Sequence, residues 1–376
     1  MAGGGYCRTR LDRALATASW CERYPLAELF HLTASTSDHS PILLRFTLSE
    51  RNVEGRKRLF RYEIMWEAHE ALKPFVKESW QEGGKASNME QIKDKLQVMA
   101  DGLKEWDKCT FGSVRGRLKE LQQRLTLLRA APGRTGPNHE EIKISDQLAE
   151  LHHREETMWR QRSRIQWLAE GDKNTRFFHQ RASHRKKKNK ISRLRRPDGV
   201  EVEDPEELSV LTRDFFHGLY GSEGTNGMDV ILNTVPNKVT SQMNDELTKP
   251  YTDEEVKIGL FQMFPTKSPG PDGYPAHFFQ LNWELCGPEV TTAVLRILSG
   301  DDSPEVINET FIVLIPKVAS PTEPGQFRPI SLCNVIYKIA SKVLSNWLKN
   351  ILPEIISQEQ SPFVQGRLIT DNIITA

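Results

Sequence analysis

Apolar side chains recur at three- and four-residue intervals through the middle of this chain, the stripe of an amphipathic helix. Ile92, Leu96, Met99, Leu103 and Trp106 form one series, and Val114, Leu118, Leu121, Leu125 and Leu128 a second. The spacing predicts helix through nearly all of residues 63–182. It also predicts the apolar seam of a coiled coil or an antiparallel helical hairpin. Phe111-Gly112 separates the first helix from the second. Ala131-Pro132-Gly133 through Pro137 separates the second from a third, expected from about Glu140 to Arg181. His152 and His153 are adjacent, so they point in different directions and are poorly placed to share a metal.

Elsewhere the pattern shortens. Pro41 to Phe46 is an apolar run that reads as a buried strand. Ile191 to Val202 reads as a hairpin around Pro197-Asp198-Gly199. Asp204, with Pro205 and Glu207 behind it, caps a helix that carries Phe215, Phe216, Leu219 and Tyr220 and ends at Gly221. Ser222 to Asp229 reads as a loop. Thr252 and Glu255 form a capping box, opening a helix through about Phe264. Lys267 to Gly273 holds two prolines and two glycines, a rigid loop that allows close backbone approach. A helix with Phe278, Phe279 and Trp283 follows.

Phe311 to Ile315 is a further strand, and Phe327 to Leu332 is expected to return antiparallel to it after a turn at 323–326. That pairing puts Lys317 and Arg328 on one two-stranded finger. Two cations so placed can grip a triphosphate, Arg as a planar fork and Lys as a point charge. Spacing alone is equally met by exposed hairpin charges. Ile336, Ile339, Ala340, Val343, Leu344, Trp347, Leu348 and Ile351 then mark a long helix. Lys338, Lys342 and Lys349 are expected on its outer face, and its end is expected before Pro353. The fold class is therefore α+β and predominantly helical, with a long helical hairpin or coiled-coil linker ahead of a smaller mixed region.

Composition changes this picture little. Of 376 residues 38% are apolar and 27% charged, which suits long solvated helices better than one large core. The five cysteines are scattered and never in a C-x-x-C pair, against a disulfide framework or a zinc site. No apolar run approaches the roughly 18 residues that span a bilayer, and Met1 to Gly5 lacks a signal-peptide core. An intracellular protein with no membrane partner is expected.

Charge changes it more. The net charge is +1, yet Lys173 to Arg196 contains eleven Lys and Arg residues and no Asp or Glu. Lys173, Arg176, Arg181, Arg185, Lys186, Lys187, Lys188, Lys190 and Arg193 are candidate nucleic-acid contacts, with Trp167, Phe177 and Phe178 alongside for base stacking. A solvated helix end, or a nuclear-localisation patch at His184 to Lys190, would have the same composition.

Several stretches carry resemblances. Trp167 to His179 resembles the W-x-x-x-G-D-x-N-[TS]-x-[FY]-F-H stretch ahead of the polymerase in plant LINE-type elements. Lys267 to Gly273 resembles the K-[SA]-P-G-x-D-G element of non-LTR retrotransposon reverse transcriptases. N-x-T-x-I-x-L-I-P-K at Asn308–Lys317, F-R-P-I-S-L at Phe327–Leu332, Q-x-x-F-V-x-G-R at Gln360–Arg367 and D-N-I at Asp371 follow in that family's order and spacing. From about Phe60 onward the chain is thus similar to the linker and fingers of plant LINE-type reverse transcriptases. Pro362 and Gln365 depart from the family's usual Ala and Pro. The resemblance implies that Lys317 and Arg328 contact an incoming deoxynucleotide's triphosphate and that Gly366 and Arg367 lie near the template. It also implies an RNA template and a DNA primer as partners, and no other small-molecule substrate.

Ser37-Asp38-His39, with Arg10 to Arg13 upstream, resembles the last strands of apurinic-endonuclease-like nucleases (the endonuclease/exonuclease/phosphatase class). In that family the His matching His39 acts on the scissile phosphate and the Asp matching Asp38 orients it. A remnant without nuclease activity is expected, because so short a piece cannot rebuild that sandwich.

The expected organisation is an endonuclease-like remnant at 1–49, a basic helical linker at 50–190, a hairpin-and-helix connector at 191–250 and reverse-transcriptase fingers at 251–376. The family's Mg²⁺-binding aspartates are expected beyond D-N-I, in residues this sequence does not include. The expectation is a fragment of an RNA-directed DNA polymerase, inactive alone and with no cofactor of its own. The alternative is a non-enzymatic nucleic-acid binder using residues 173–196.

Overall fold

The computed structural model describes residues 14–17, 20–21, 24, 27–31, 42–45, 59–130, 138–163, 175–222, 224–225, 227–357, 360, 364–368 and 370. Asp38, His39 and Lys173 lie outside them, as does the side chain of Arg176. The chain divides into two compact units, residues 1–58 with 180–190, and residues 59–179 with 191–376. In the first, β1 (Glu28–His31) pairs antiparallel with β2 (Ile42–Arg45), Glu28 opposite Arg45 and His31 opposite Ile42. The described fold is α+β and mostly helical, as the periodicities predict.

In the second unit a 3₁₀ turn at Ile64–Ala68 leads into α1 (Leu72–Glu82) and α2 (Met89–Thr110). Asn88 caps α2, its side-chain oxygen accepting from the Gln91 amide at 3.0 Å. Gly112, at φ 54, takes the left-handed turn into α3 (Val114–Arg129), which Ser113 caps. α4 (His139–Ser163) returns against α3.

The two apolar series of the linker part company here. Val114, Leu118 and Leu121 of α3 meet Ile144 and Leu148 of α4 in a small core of their own, the expected helical hairpin. Ile92, Met99 and Leu103 of α2 are fully buried instead in the main core.

The rest of the chain supplies the other half of that core. α5 (Thr175–Lys188), the β3 (Leu194–Arg195) and β4 (Glu201–Val202) hairpin, α6 (Pro205–Tyr220), α7 (Met228–Leu232) and α8 (Ser241–Leu247) come first. α6 starts where the Asp204 carboxylate accepts from the amides of Glu206 and Glu207, both at 3.0 Å. α9 (Asp253–Phe261) opens on the predicted capping box, with both reciprocal bonds between Thr252 and Glu255 present. α10 (Ala276–Leu281), α11 (Trp283–Leu298), β5 (Thr310–Pro316), β6 (Phe327–Cys333) and α12 (Val335–Ile355) complete the order. Val256, Leu260, Phe278, Val290 and Val343 from these elements pack with the residues of α1 and α2 in one continuous cluster.

A buried ion pair crosses the same core. Lys95 of α2, 3% exposed, donates to Glu289 of α11 at 2.7 Å and to the Gly84 carbonyl at 2.6 Å, with its ammonium 4.6 Å from the Trp80 ring. Glu289 also accepts from the Trp80 indole and the Ala86 amide. Each charge has fixed partners, the condition for holding charge away from water.

Two expectations need correction. α12 does not stop before Pro353 but runs through it to Ile355. A proline in the final turn forfeits one hydrogen bond, and Arg367 supplies donors to the carbonyls there, as described below. Lys338 is not on a solvated face: it is half-buried and donates to the Ser268 carbonyl at 3.2 Å. Trp347 is half-buried, donating to Glu255 at 2.7 Å with its ring 4.3 Å from Tyr251. The exposed apolar residues beside it are Leu344 and Leu348.

Candidate nucleic-acid interface

β5 and β6 form an antiparallel ribbon in the predicted register, Thr310 opposite Cys333 and Pro316 opposite Phe327. Because strand side chains alternate, the ribbon has two unlike faces. Ile312, Leu314, Pro316 and Phe327 share one. Phe327 is buried there with Leu194, Val202 and Leu208, so the β3–β4 hairpin and α6 support the ribbon from that side. The Arg195 amide donates to the Thr322 carbonyl at 2.6 Å, tying the hairpin to the ribbon's tip. Phe311, Val313, Ile315, Ile330 and Leu332 share the other face, and Phe311 and Ile330 are exposed.

Lys317 and Arg328 lie on this second face. Arg328 is directly opposite Ile315, and Lys317 is two residues beyond Ile315, its amide continuing the ladder to the Gln326 carbonyl at 2.8 Å. Residues in that diagonal relation stand about 7–8 Å apart. Both side chains are exposed. The Lys317 ammonium donates to the Gly325 carbonyl at 2.8 Å, which holds it toward the turn.

The Lys267–Gly273 loop is a strap between this ribbon's base and the core. A Cβ on Gly270 would stand 2.3 Å from the Asn334 side chain and 2.4 Å from its backbone nitrogen. On Gly273, at φ 79, it would stand 2.2 Å from the Phe60 carbonyl oxygen. The Gly273 carbonyl accepts from the Tyr62 amide at 3.1 Å, and the Asp272 amide donates to Asn334, the residue before α12, at 3.2 Å. Burial pushes the Asp272 carboxyl up to about 7, against the Tyr274 N–H and the Lys338 charge. Burial likewise lowers the pKa of Lys338.

The basic run falls differently. In α5 and just after it, Arg181, Arg185, Lys186, Lys187, Lys188 and Lys190 are exposed. Lys187 donates to the Ala27 carbonyl, whereas Arg185, Lys188 and Lys190 have no acidic partner among the described residues. Beyond the run's first unit, Arg193 pairs with Glu201 at 3.6 Å. Arg367 caps α12, its guanidinium donating to the carbonyls of Pro353, Ile356, Ser357 and Gln360.

Asp301-Asp302 is the only adjacent aspartate pair, and Asp302 is held by both arms of Arg296, at 2.7 and 2.9 Å. Among the described residues no three His, Cys, Asp or Glu side chains are grouped to hold an ion. No described helix is long and apolar enough to cross a membrane. Periodicity gave no sign of the Lys95–Glu289 pair or of Asn334 as the strap's partner, since both rest on contacts between distant segments.

No protein-family model matches the chain. Over 214 residues, 56% of its length, it is 31% identical to the Transposon TX1 uncharacterized 149 kDa protein of Xenopus laevis. The match spans 16% of that protein. The similarity supports a transposon-related origin. The relative is from a frog, so it lends nothing to a plant affiliation.

Proposed function

We propose that the chain derives from a LINE-type, non-LTR retrotransposon and forms the fingers-side portion of its reverse transcriptase. The observation that carries this reading is the β5–β6 ribbon, which presents Lys317 and Arg328, both exposed, together on one face. The likeness to a transposon protein supports it. In this reading the ribbon lies along an RNA template paired to a DNA primer, with the cation pair toward the triphosphate of a deoxynucleotide. The family's chemistry uses Mg²⁺ on clustered aspartates, which this reading assigns to a part of the polymerase other than the fingers. Purified protein with primer, template, deoxynucleotides and Mg²⁺ should therefore bind the duplex and not extend it. Measured incorporation would overturn the second half of the proposal.

A second reading rests on the exposed cations of residues 181–190, a non-enzymatic nucleic-acid contact. Binding through them should weaken steeply with salt, because each neutralised phosphate releases counterions. Affinity that holds constant from low to physiological salt would rule it out.

A further inference from the structure

A cleft of about 220 Å³ opens at the base of the ribbon. Segments far apart in sequence converge on it: residue 59, α2, the strap, the turn before β5 and the start of α12. Its floor is apolar, and Phe311, 36% exposed, stands at its edge. Lys93, Gln97, Asp272, Glu309 and Asn334 supply the polar groups.

We propose that this cleft takes one amino-bearing nucleobase of a single-stranded nucleic acid, its ring against Phe311 and its amino edge on Asp272 and Glu309. The proposal rests on the nucleic-acid reading given above. Size is the first argument: the cleft is smaller than the roughly 300–1,000 Å³ of sites for drug-sized ligands, so it suits a single heterocycle. Charge is the second. Two carboxyls and one lysine line the cleft, with Lys338 acting on Asp272 from α12, so the lining has no excess of cations to hold a phosphate and offers acceptors to a neutral ring that donates hydrogen bonds. Carboxylates accept from exocyclic amines, so adenine, cytosine and guanine fit, whereas uracil and thymine would set a carbonyl oxygen against them. The state of Asp272 agrees. Its carboxyl is raised to about 7 by burial, and Tyr274 donates to it from 3.2 Å. Added donors from a ligand would relieve that cost.

Position is the third argument. Phe311 lies on the same ribbon face as Lys317 and Arg328, and six residues of strand separate Phe311 from Lys317, about 20 Å. A strand whose base enters the cleft could run along that face and bring a phosphate to the cation pair.

The test uses the full chain and uncharged nucleosides, so the basic segment plays no part. Saturation-transfer NMR should show saturable contact with adenosine, cytidine or guanosine, at least fivefold weaker contact with uridine, and loss of contact in Phe311→Ser. The exposed position of Phe311 leaves the fold intact in that variant, which its melting curve verifies. Asp272→Asn should weaken nucleoside contact without shifting the salt dependence of oligonucleotide binding. No saturable contact, equal contact with uridine, or contact retained in Phe311→Ser would each overturn the cleft. Salt-independent oligonucleotide binding would instead count against the basic segment alone.

Discussion

The main core and the β5–β6 ribbon are built from similar apolar runs, and they come to opposite ends. Ile92, Met99, Leu103, Val256, Leu260 and Val343 are completely removed from water, joined across residues 60–343 into one cluster. On the ribbon, Phe311, Ile312 and Ile330 remain exposed and only the tip, at Phe327, is locked down. The difference lies in what each element is packed against. α2 meets α1 and α11, whereas on the ribbon's second face Phe311 and Ile330 stay exposed, and Phe311 only edges the cleft beside α2. A buried face stabilises a fold, and a bare one beside two cations is available for a ligand.

The comparison breaks most severely if the core is cut. Phe278 is fully buried among Tyr62, Tyr274 and Phe279, and Phe278→Ala should destabilise by about 3–5 kcal/mol in chemical denaturation. Because residues 60–103 supply nearly half of that cluster, the same melt should report residues 60–103 and 256–343 unfolding together. Lys95→Met comes next, with a loss of about 3–5 kcal/mol, since it strands Glu289 without its cation. Pairing it with Glu289→Leu should recover much of that loss, and a double variant no better than the single would show that the charges are not coupled. Gly270→Ala should cost about 1–3 kcal/mol, as its Cβ must displace the backbone of Asn334.

Asp272 adds a pH dependence inside the strap. Its folded carboxyl titrates near 7, above the ordinary 3.8, so between those values the folded state holds a proton that the unfolded chain releases. This group therefore stabilises the fold at low pH and loses that contribution as pH rises through the window, at up to about 1.4 kcal/mol per unit. Asp272→Asn should flatten the midpoint-versus-pH curve between about 4 and 7, and an unchanged slope would refute the assignment. The smallest effect belongs to the bare face: Ile330→Ser should stay within about 0.5 kcal/mol of the parent.

Local chemistry made much of this legible. The capping box at Thr252, the Asp204 cap, the Pro197-Asp198-Gly199 turn and the ribbon register each depend on a few neighbouring residues, and each forms as its residues dictate. Partners were not legible. The stripe at Ile92–Leu103 looks the same whether it faces a hairpin mate or a core, and only the left-handed turn at Gly112 separates α2 from α3. Pro353 read as a stop because the guanidinium of Arg367, which donates to the carbonyls there, lies fourteen residues downstream. Of the site, the pairing that sets Lys317 beside Arg328 was visible. The cleft was not, because its lining comes from segments that share no sequence pattern.

Hydrogen exchange on the full chain, with and without a primer–template duplex, tests the contrast most directly. Amides of residues 311–333 should slow on adding duplex, while those of α2, α11 and the first half of α12 are already slow and stay unchanged. Ribbon amides unaffected by duplex, or protection gained in the core instead, would contradict the account.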